Sequence, residues 1–240
     1  MISLKTITLV ESREALMDIP GGKVLINTVN AHSFNVAQKD PAFAEALEKG
    51  DYLLPDGMSV VKACRWLKGR SRPKERVAGW DLFVFEMERL NGRGGKCFFL
   101  GSSPAVLASI KERCAQEYPN IVVESYSPPY KPAFSDQESA EMVAAVNVAR
   151  PDLLWVGMTA PKQEKWTFAH WPELDIHCHC GTVGAVFDFY AGTLKRAPLW
   201  MQRAGLEWLY RLLKEPRRMW RRYVVGNFVF LWHCLREAFE

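Results

Sequence analysis

Short apolar segments alternate with helical patterns along most of the 240-residue chain, and this alternation limits the fold more than any other feature. Each apolar segment has the length of a buried strand and is followed by a polar turn and a helical pattern. Strands that alternate with helices in this way build parallel sheets covered by helices on both faces. The sequence therefore predicts an α/β fold with a Rossmann-like, mostly parallel sheet flanked by helices. The predicted strands are Ile2–Val10, Val24–Asn27, Tyr52–Leu54, Cys97–Leu100, Ile121–Tyr126, Leu153–Met158 and Ile176–Cys180.

Two of the predicted helices bear on how the chain is organised. Residues Ser33–Lys49 have helical spacing and end at a glycine, a common stop signal. Residues Pro198–Leu213 form an amphipathic pattern that a proline interrupts shortly afterwards. A chain of this length holds one large domain, or one domain with an appendage. We predict a Rossmann-like core over 1–194 and a basic, helical C-terminal appendage over 195–240.

Small and polar residues recur where the predicted strands end. In a parallel sheet these ends share one edge, and ligands of open α/β sheets bind outside that edge. Helix N-termini beside it can hold phosphate. The pattern therefore predicts a crevice for a nucleotide or a phosphosugar, although glycine and serine at any single loop also serve as simple turn residues. The residues concerned are Thr28, Asn30, His32, Asp56, Gly101, Ser102, Ser127, Thr159, Gln163 and Gly181–Gly184.

Asp56 follows the strand Tyr52–Leu54 and stands between Pro55 and Gly57. It can cap the next helix, because aspartate is a favoured N-cap residue. It can equally act as a general base in catalysis. The local sequence leaves both roles open. For Arg76, the alternative to a role in the crevice is a solvated surface charge.

The run His177-Cys178-His179-Cys180 looks at first like a metal site. Side chains alternate between the two faces of a strand, so the histidines and the cysteines of this run point to opposite faces. One tetrahedral ion cannot easily take all four, which favours a buried strand and leaves both readings open. The chain also lacks an Asp-x-Asp pair, a frequent metal-binding signature, and a P-loop. Its six scattered cysteines indicate reduced thiols in the cytosol.

Positive charge is concentrated near the C-terminus. The whole chain has a net charge of +4, whereas residues 195–222 carry nine Lys or Arg and two Glu, a net charge of +7. Within this segment, arginines alternate with aromatic residues over Arg217–Tyr223, and a short apolar run follows. That combination is typical of a segment that lies at a membrane interface. The run is too short to cross a bilayer, which needs about 20 apolar residues.

Two alternatives to membrane binding exist for this segment. It can pack as a helix against its own domain or a partner. It can also bind nucleic acid, but single-strand binders use a broader basic groove with stacking platforms, so we predict no nucleic-acid partner. A secretory signal has a basic start, a long apolar run and a cleavage site. The N-terminus lacks this combination, so we predict no secretory signal.

Seven short motifs occur in a fixed order along the chain. Those of the first half are Thr28-Val29-Asn30, Pro55-Asp56-Gly57 and Arg-Val-x-Gly-x-Asp at Arg76–Asp81. Those of the second half are Pro-Lys-Gln-Glu-x-Trp at Pro161–Trp166, Phe-Asp-x-x-Ala-Gly at Phe187–Gly192, Arg-Ala-Pro at Arg196–Pro198 and a longer motif at Gly205–Arg218. Through these motifs the chain resembles the WecG/TagA/CpsF family of bacterial glycosyltransferases, glycosyltransferase family 26. The resemblance covers about Val24 to Tyr223.

The resemblance implies an inverting glycosyltransferase that moves a sugar from a UDP-sugar to a polyprenyl-diphosphate-linked saccharide, in cell-surface polysaccharide or exopolysaccharide synthesis. It implies a cytoplasmic protein, peripherally associated with the inner face of the cell membrane, that requires no metal and no other cofactor. Asp56 is then the catalytic base, and Asp188 lies in a nucleotide-proximal loop. The residues that line the donor and acceptor pocket are Thr28, Asn30, Arg76 and Gln163. Those that meet the lipid diphosphate, as the appendage folds over the pocket, are Arg211, Arg218 and Arg221.

Three crevice segments depart from the family pattern, namely Ser127–Lys131, Gly157–Pro161 and Gly181–Gly184. They leave the donor open between an N-acetylmannosamine-type and a glucose-type sugar. The oligomeric state is open as well, a homo-oligomer included. The alternative to an enzyme is a non-catalytic nucleotide-binding or lipid-docking module at the membrane.

Overall fold

The computed structural model of the protein describes residues 1–203 and 205–239. For Leu199, Arg203 and Arg218 it describes the backbone only.

Six parallel strands form one sheet at the centre of the molecule, which confirms the predicted Rossmann-like α/β fold. The strands lie in the order β2-β1-β6-β5-β3-β4, and each neighbouring pair is parallel. Their bounds are β1 Val24–Val29, β2 Tyr52–Pro55, β3 Gly95–Gly101, β4 Ile121–Tyr126, β5 Leu153–Gly157 and β6 His179–Thr182.

Helices connect the strands and cover both faces of the sheet. Those before β6 are α1 Ala31–Ala37, α2 Pro41–Glu48, α3 Met58–Trp66, α4 Gly79–Arg93, α5 Pro104–Glu117, α6 Asp136–Ala149 and α7 Lys162–Ala169. Those after β6 are α8 Val186–Ala191, α9 Leu199–Arg203, α10 Glu207–Lys214, α11 Pro216–Trp220, a π-helical turn Arg221–Val225 and α12 Gly226–Phe239. Short 3-10 helices occur at Glu14–Asp18 and Trp171–Glu173.

Apolar packing on the two faces holds the helices in place. On one face Phe83 of α4 and Phe187 of α8 pack against Phe99 of β3 and Trp155 of β5. The Trp155 ring crosses in front of β6, and a Cβ at Gly181 would lie 2.3 Å from it. Only glycine therefore allows this ring to lie across the strand. On the other face α6 and α7 pack against β3 and β5, and α1–α3 pack against β1 and β2.

The predicted strand at Ile2–Val10 is wrong. This segment has no strand pairing, although Ile2, Leu4, Ile7 and Leu9 are buried. Their side chains join the apolar cluster formed mainly by α1, α2, α3 and α12, so the segment is buried without pairing in the sheet. A strand pattern in sequence reports burial on a face, and it does not tell which kind of element covers the segment.

Three predicted boundaries also change. Ser33–Lys49 is two helices, because Asp40 caps a new helix at Pro41, accepting a hydrogen bond from the Phe43 N–H. Pro198–Leu213 is likewise two helices, because Gly205 has a left-handed conformation (φ +72°) that ends the first of them. The last strand begins at His179, three residues later than predicted.

The C-terminal helix packs on the start of the chain. Rings of Phe230 and His233 lie against Phe34 of α1, with centroids 5.5 and 6.0 Å away. The Glu237 carboxylate accepts hydrogen bonds from the Ser3 hydroxyl at 2.8 Å and from the backbone N–H groups of the next two residues. Within residues 1–203 and 205–239, no helix has both the length and the apolar character needed to cross a membrane.

Candidate active site

Asp56 lies where β2 ends, beside the end of β1. Its N–H donates to the carbonyl of Val29 at 2.9 Å, which ties the two strand ends together. A Cβ at Gly57 would lie 3.3 Å from the Cβ of Asn30, so the two residues are in contact. Thr28 lies next to Gly79, at the start of α4. The structure thus brings Thr28, Asn30 and Asp56 to one edge of the sheet, together with the N-terminus of a 15-residue helix.

The capping alternative for Asp56 is wrong. The N-cap position of α3 is Gly57, and no side chain caps this helix. The Asp56 side chain is instead 30% exposed at the crevice. Partial burial raises the pKa of its carboxyl to about 6, against the opposing effect of the Arg76 charge. At neutral pH the group is mostly ionised, yet it binds a proton more strongly than an ordinary aspartate, as a general base requires.

Arg76 links this carboxylate to the C-terminal segment, so it is not a solvated surface charge. Its Nε lies 3.6 Å from Asp56 Oδ1, and its Nη1 donates to Glu207 Oε2 at 2.9 Å. Both Arg76 and Glu207 are less than one-fifth exposed. Glu207 begins α10, so this ion pair connects the C-terminal segment to the side chains around Asp56.

A second arginine extends the network. Arg196 Nε lies 3.5 Å from Glu207 Oε1, and its guanidinium stacks 4.7 Å from the Trp80 ring and 5.8 Å from that of Phe189. No role for Glu207 or Arg196 was predicted from the sequence. Both residues lie inside the motifs at Gly205–Arg218 and Arg196–Pro198, and this membership was the signal available for them.

Gln163 lies at the start of α7, directly after the end of β5. It is buried, and its amide accepts from the Met158 N–H at 3.1 Å and donates to Glu164 Oε1 at 2.8 Å. A Cβ at Gly184 would stand 3.7 Å from both amide atoms. Gln163 therefore forms part of the wall between the ends of β5 and β6, with its amide orientation set by its neighbours.

Glu164 is a buried carboxyl for which the sequence predicted no role. One oxygen accepts the Gln163 hydrogen bond, and Oε2 has no hydrogen-bond partner among the described residues. Burial raises the pKa of Glu164 to about 7. The carboxyl is therefore partly protonated near neutral pH.

Asn30 has a structural duty in addition to its place at the crevice. Its Oδ1 accepts from the N–H groups of His32 and Ser33 and so caps α1. The Nδ2 group is then the part of Asn30 that can contact a ligand. Burial and the positive charge of Arg222 lower the pKa of His32 to about 4, so this imidazole is neutral. Arg222 also lowers the pKa of Asp56, which places its charge near the crevice.

Asp188 and Arg211 lie in α8 and α10, the two helices that border a cavity. Asp188 lies in α8, where Thr193 Oγ1 donates to its carbonyl oxygen at 3.1 Å. Arg211 lies 5.8 Å from the ring of Phe189. A cavity of about 300 Å³ between α8 and α10 is lined by three cationic side chains and two aromatic rings. Its lining residues are Phe189, Leu194, Lys195, Tyr210, Arg211, Lys214 and Glu215.

The two remaining predicted arginines lie further along the chain. Arg221 is exposed at the start of the π-helical turn. The side chain of Arg218 lies outside the described residues, so no contact is assigned to it. The Arg196 stacking on Phe189 connects the Asp56 cluster with the cationic cavity.

The histidine and cysteine run packs in the core and takes part in hydrogen bonds. His177 is exposed ahead of β6, whereas Cys178, His179 and Cys180 are buried. The ring of His179 contacts Glu86 and the carbonyl of Pro20. All six cysteines are free and buried. Within the described part of the chain, no three His, Cys, Asp or Glu side chains are grouped to hold a metal ion.

Comparison with known proteins gives one consistent result. The model of the glycosyl transferase WecG/TagA/CpsF family matches residues 2–240. The N-acetylglucosaminyldiphosphoundecaprenol N-acetyl-beta-D-mannosaminyltransferase of Bacillus subtilis (strain 168) is 32% identical over 198 residues, 82% of this chain and 74% of that protein. The protein of the same name from Staphylococcus aureus (strain MW2) is 30% identical over 208 residues, 86% of this chain and 78% of the relative. The chain therefore belongs to the WecG/TagA/CpsF family of glycosyl transferases.

Proposed function

We propose that the protein transfers a sugar from a UDP-sugar to a saccharide linked to polyprenyl diphosphate. The single observation that carries this proposal is the partly exposed carboxylate of Asp56, which has a raised pKa and lies at the carboxyl edge of the sheet. The relatives' name, a diphosphoundecaprenol mannosaminyltransferase, supports this acceptor class and favours an N-acetylmannosamine-type donor over a glucose-type one.

Asp56 would act as the base of an inverting displacement. The acceptor hydroxyl attacks the anomeric carbon of the donor sugar while the bond from that carbon to the UDP oxygen breaks. The hydroxyl proton passes to Asp56, and the bonding electron pair leaves with UDP. In this proposal Thr28, Asn30 and Gln163 line the pocket around the two sugars, and Arg76 holds the Asp56 carboxylate in place.

Cationic side chains would stabilise the charge on the diphosphates, so the proposal requires no metal and no other cofactor. Lys195, Arg211 and Lys214 line the cavity beside α8 and could hold one diphosphate, with Asp188 near the nucleotide. Arg218 and Arg221 would join Arg211 in binding the lipid diphosphate.

The C-terminal part, 195–240, would act as an appendage that associates with the membrane and closes the site of the core, 1–194. One side of α12 supports this proposal, because it is apolar and exposed while the opposite side packs on α1. The exposed side chains are Phe228, Leu231, Trp232, Leu235 and Phe239. Their spacing places them along one side of the helix, next to the basic segment, as in helices that lie in a membrane interface. The protein would then work at the inner face of the cell membrane.

A panel of UDP-sugars tests this function directly. Each donor is offered with a polyprenyl-diphosphate-linked saccharide in membranes or detergent, and UDP release and the lipid product are measured. We expect one donor to be used and UDP-N-acetylmannosamine to be among the best. UDP binding without transfer for every donor and acceptor would favour the non-catalytic module instead.

A further inference from the structure

A groove with apolar walls runs between α3 and α12. Ala63 and Cys234 are buried in it, and Trp66 and Leu231 rise from the two helices with more than half of their surface exposed. Phe230 completes the apolar lining, and the groove has a volume of about 300 Å³.

One end of the groove is formed by the first turn of α3, which closely follows Asp56 in the chain. On α3, Ser59, Ala63 and Trp66 share one face, because residues three and four apart are neighbours on a helix. Ser59 also lines the groove, and it is only three residues beyond Asp56. The groove thus begins at the first turn of α3, three residues beyond Asp56, and follows α3 away from it.

Positive charge accompanies that end of the groove. The turn that precedes α12 contains Arg222, whose charge acts on both Asp56 and His32. Lys62 stands at the side of the groove, on the exposed face of α3. A ligand that carries an anionic group near Asp56 and an apolar chain beyond it matches this order of charges and apolar surface.

We propose that the groove binds the isoprenyl units of the acceptor lipid that are closest to its diphosphate. This inference rests on the proposed function, since it takes the acceptor class from there. The groove would draw the start of the lipid chain away from the bilayer and hold the acceptor saccharide against Asp56.

The shape of the groove favours a single chain over other occupants. Its volume lies at the lower end of the range for small-molecule pockets, so it accepts a few isoprene units and not a helix of another protein. A bilayer surface would instead meet the projecting side of α12, with Phe228, Trp232 and Phe239. A narrow concave groove between two helices suits one branched hydrocarbon chain.

A binding experiment tests the groove without any sugar transfer. Ser59→Cys introduces an accessible thiol, because all six native cysteines are buried. This thiol is labelled with an environment-sensitive fluorophore. We expect farnesyl diphosphate to shift the emission to the blue in a saturable way, and inorganic diphosphate to have no such effect. The matched control is Ala108→Cys on the exposed face of α5, which should not respond. No shift, or the same shift with phospholipid vesicles alone, would overturn the assignment.

A kinetic experiment tests the consequence for transfer. Ala63→Phe fills the groove, and Trp66→Glu places a charge on its exposed wall in case the first variant does not fold. We expect either change to raise KM for a polyprenyl-linked acceptor at least about tenfold, through lost burial of apolar groups. KM for an acceptor with a short alkyl chain in place of the isoprenyl chain should stay the same. The control is Val148→Phe on the exposed face of α6, for which KM should be unchanged with both acceptors.

The outcomes of the two experiments separate the two proposals. An equal rise of KM for both acceptors, or no rise for either, contradicts the groove assignment while transfer itself stands. Saturable binding of farnesyl diphosphate at Ser59→Cys without transfer of any sugar contradicts the proposed function and leaves the groove as an isoprenyl site.

Discussion

Two clusters of charged side chains lie at opposite edges of the same sheet, and they differ in how well their carboxylates are satisfied. At the amino edge Glu86 gives one oxygen to the His179 ring at 2.9 Å and the other to Arg89 at 2.8 Å. Glu86 and His179 are both only 2% exposed, and the second ring nitrogen of His179 donates to the Pro20 carbonyl. Every charged group of this cluster has a close partner.

At the carboxyl edge Asp56 is held more loosely. Its nearest cation, Arg76, stands 3.6 Å away, and the short bond of that arginine goes to Glu207 instead. Burial raises the pKa of Asp56, and the positive charge of Arg76 offsets this effect only in part. A fully bonded buried carboxylate holds a structure together, whereas one left short of partners at a crevice is free to take a proton from a substrate.

The largest effect that tests this contrast is the loss of activity in Asp56→Asn. The amide keeps the shape of the side chain but cannot accept the acceptor proton, so we expect kcat to fall by about 10²–10⁴-fold. Binding of UDP, measured by calorimetry, should be little changed. Unchanged kcat would remove Asp56 from the role of base.

The same substitution at the other edge should affect stability and not chemistry. Glu86→Gln deprives the partly exposed Arg89 and the buried His179 ring of their carboxylate partner, so we expect the free energy of unfolding to fall by about 1–3 kcal/mol. Urea denaturation measures this loss, and kcat well below the melting temperature should be retained. Glu88→Gln, on the exposed side of the same helix, is the control and should leave both quantities unchanged. A large loss of kcat in folded Glu86→Gln would contradict the contrast.

Glu164 sharpens the comparison, because it is as buried as Glu86 and as poor in partners as Asp56. Its pKa is about 7 in the folded protein and near 4.5 when unfolded, so between these pH values the unfolded chain has released a proton that the folded protein keeps. The free energy of unfolding therefore falls as pH rises across this window, by up to about 3 kcal/mol. We expect Glu164→Gln to remove this loss, so that it is more stable than the wild type at pH 8 and equal to it at pH 4.5. Denaturation curves at the two pH values measure this difference. Equal stabilities of the variant and the wild type at pH 8 would show that the Glu164 carboxyl is better solvated than its burial implies.

The link between Asp56 and the C-terminal segment can be weakened without removing charge. Arg76→Lys retains the positive charge but loses the planar fork that contacts Asp56 and Glu207 together. We expect kcat/KM to fall about tenfold. The matched change is Arg13→Lys, whose ion pairs with Glu75 and Asp81 are more exposed, and it should have little effect. Equal effects of the two changes on kcat/KM would show that the contacts of Arg76 with Asp56 and Glu207 do not support catalysis.

The smallest expected effect is a shift in the pH profile. Activity needs ionised Asp56, so kcat/KM should fall as pH drops through about 6. The negative charge of Glu207 raises the pKa of Asp56, so Glu207→Gln should move this acidic limb to lower pH. A limb that stays in place, or moves upward, would show that Glu207 does not act on the base.

Much of the fold followed from periodicity in the sequence, because buried strands and amphipathic helices each carry a local pattern. Five of the seven predicted strands lie where expected, and β6 is displaced by a few residues. Ile2–Val10 misled, since its apolar side chains are buried mainly among helices while the segment itself does not join the sheet. The edge on which Asp56, Thr28 and Asn30 lie also followed from the sequence, because parallel strands place their carboxyl ends together.

Tertiary structure alone decided how that edge becomes a site. Arg76 meets Glu207 across 131 residues of sequence, and α12 returns to pack on α1, contacts for which no local pattern exists. Whether Asp56 caps a helix or keeps a raised pKa depends on which side chains surround it, and these come from distant parts of the chain. The sequence by itself determined the sheet, the polar edge and the family. The partners of each charge, and hence which carboxylate is bound firmly and which is left to react, were settled only by folding, because desolvation and ion pairing depend on distances in space.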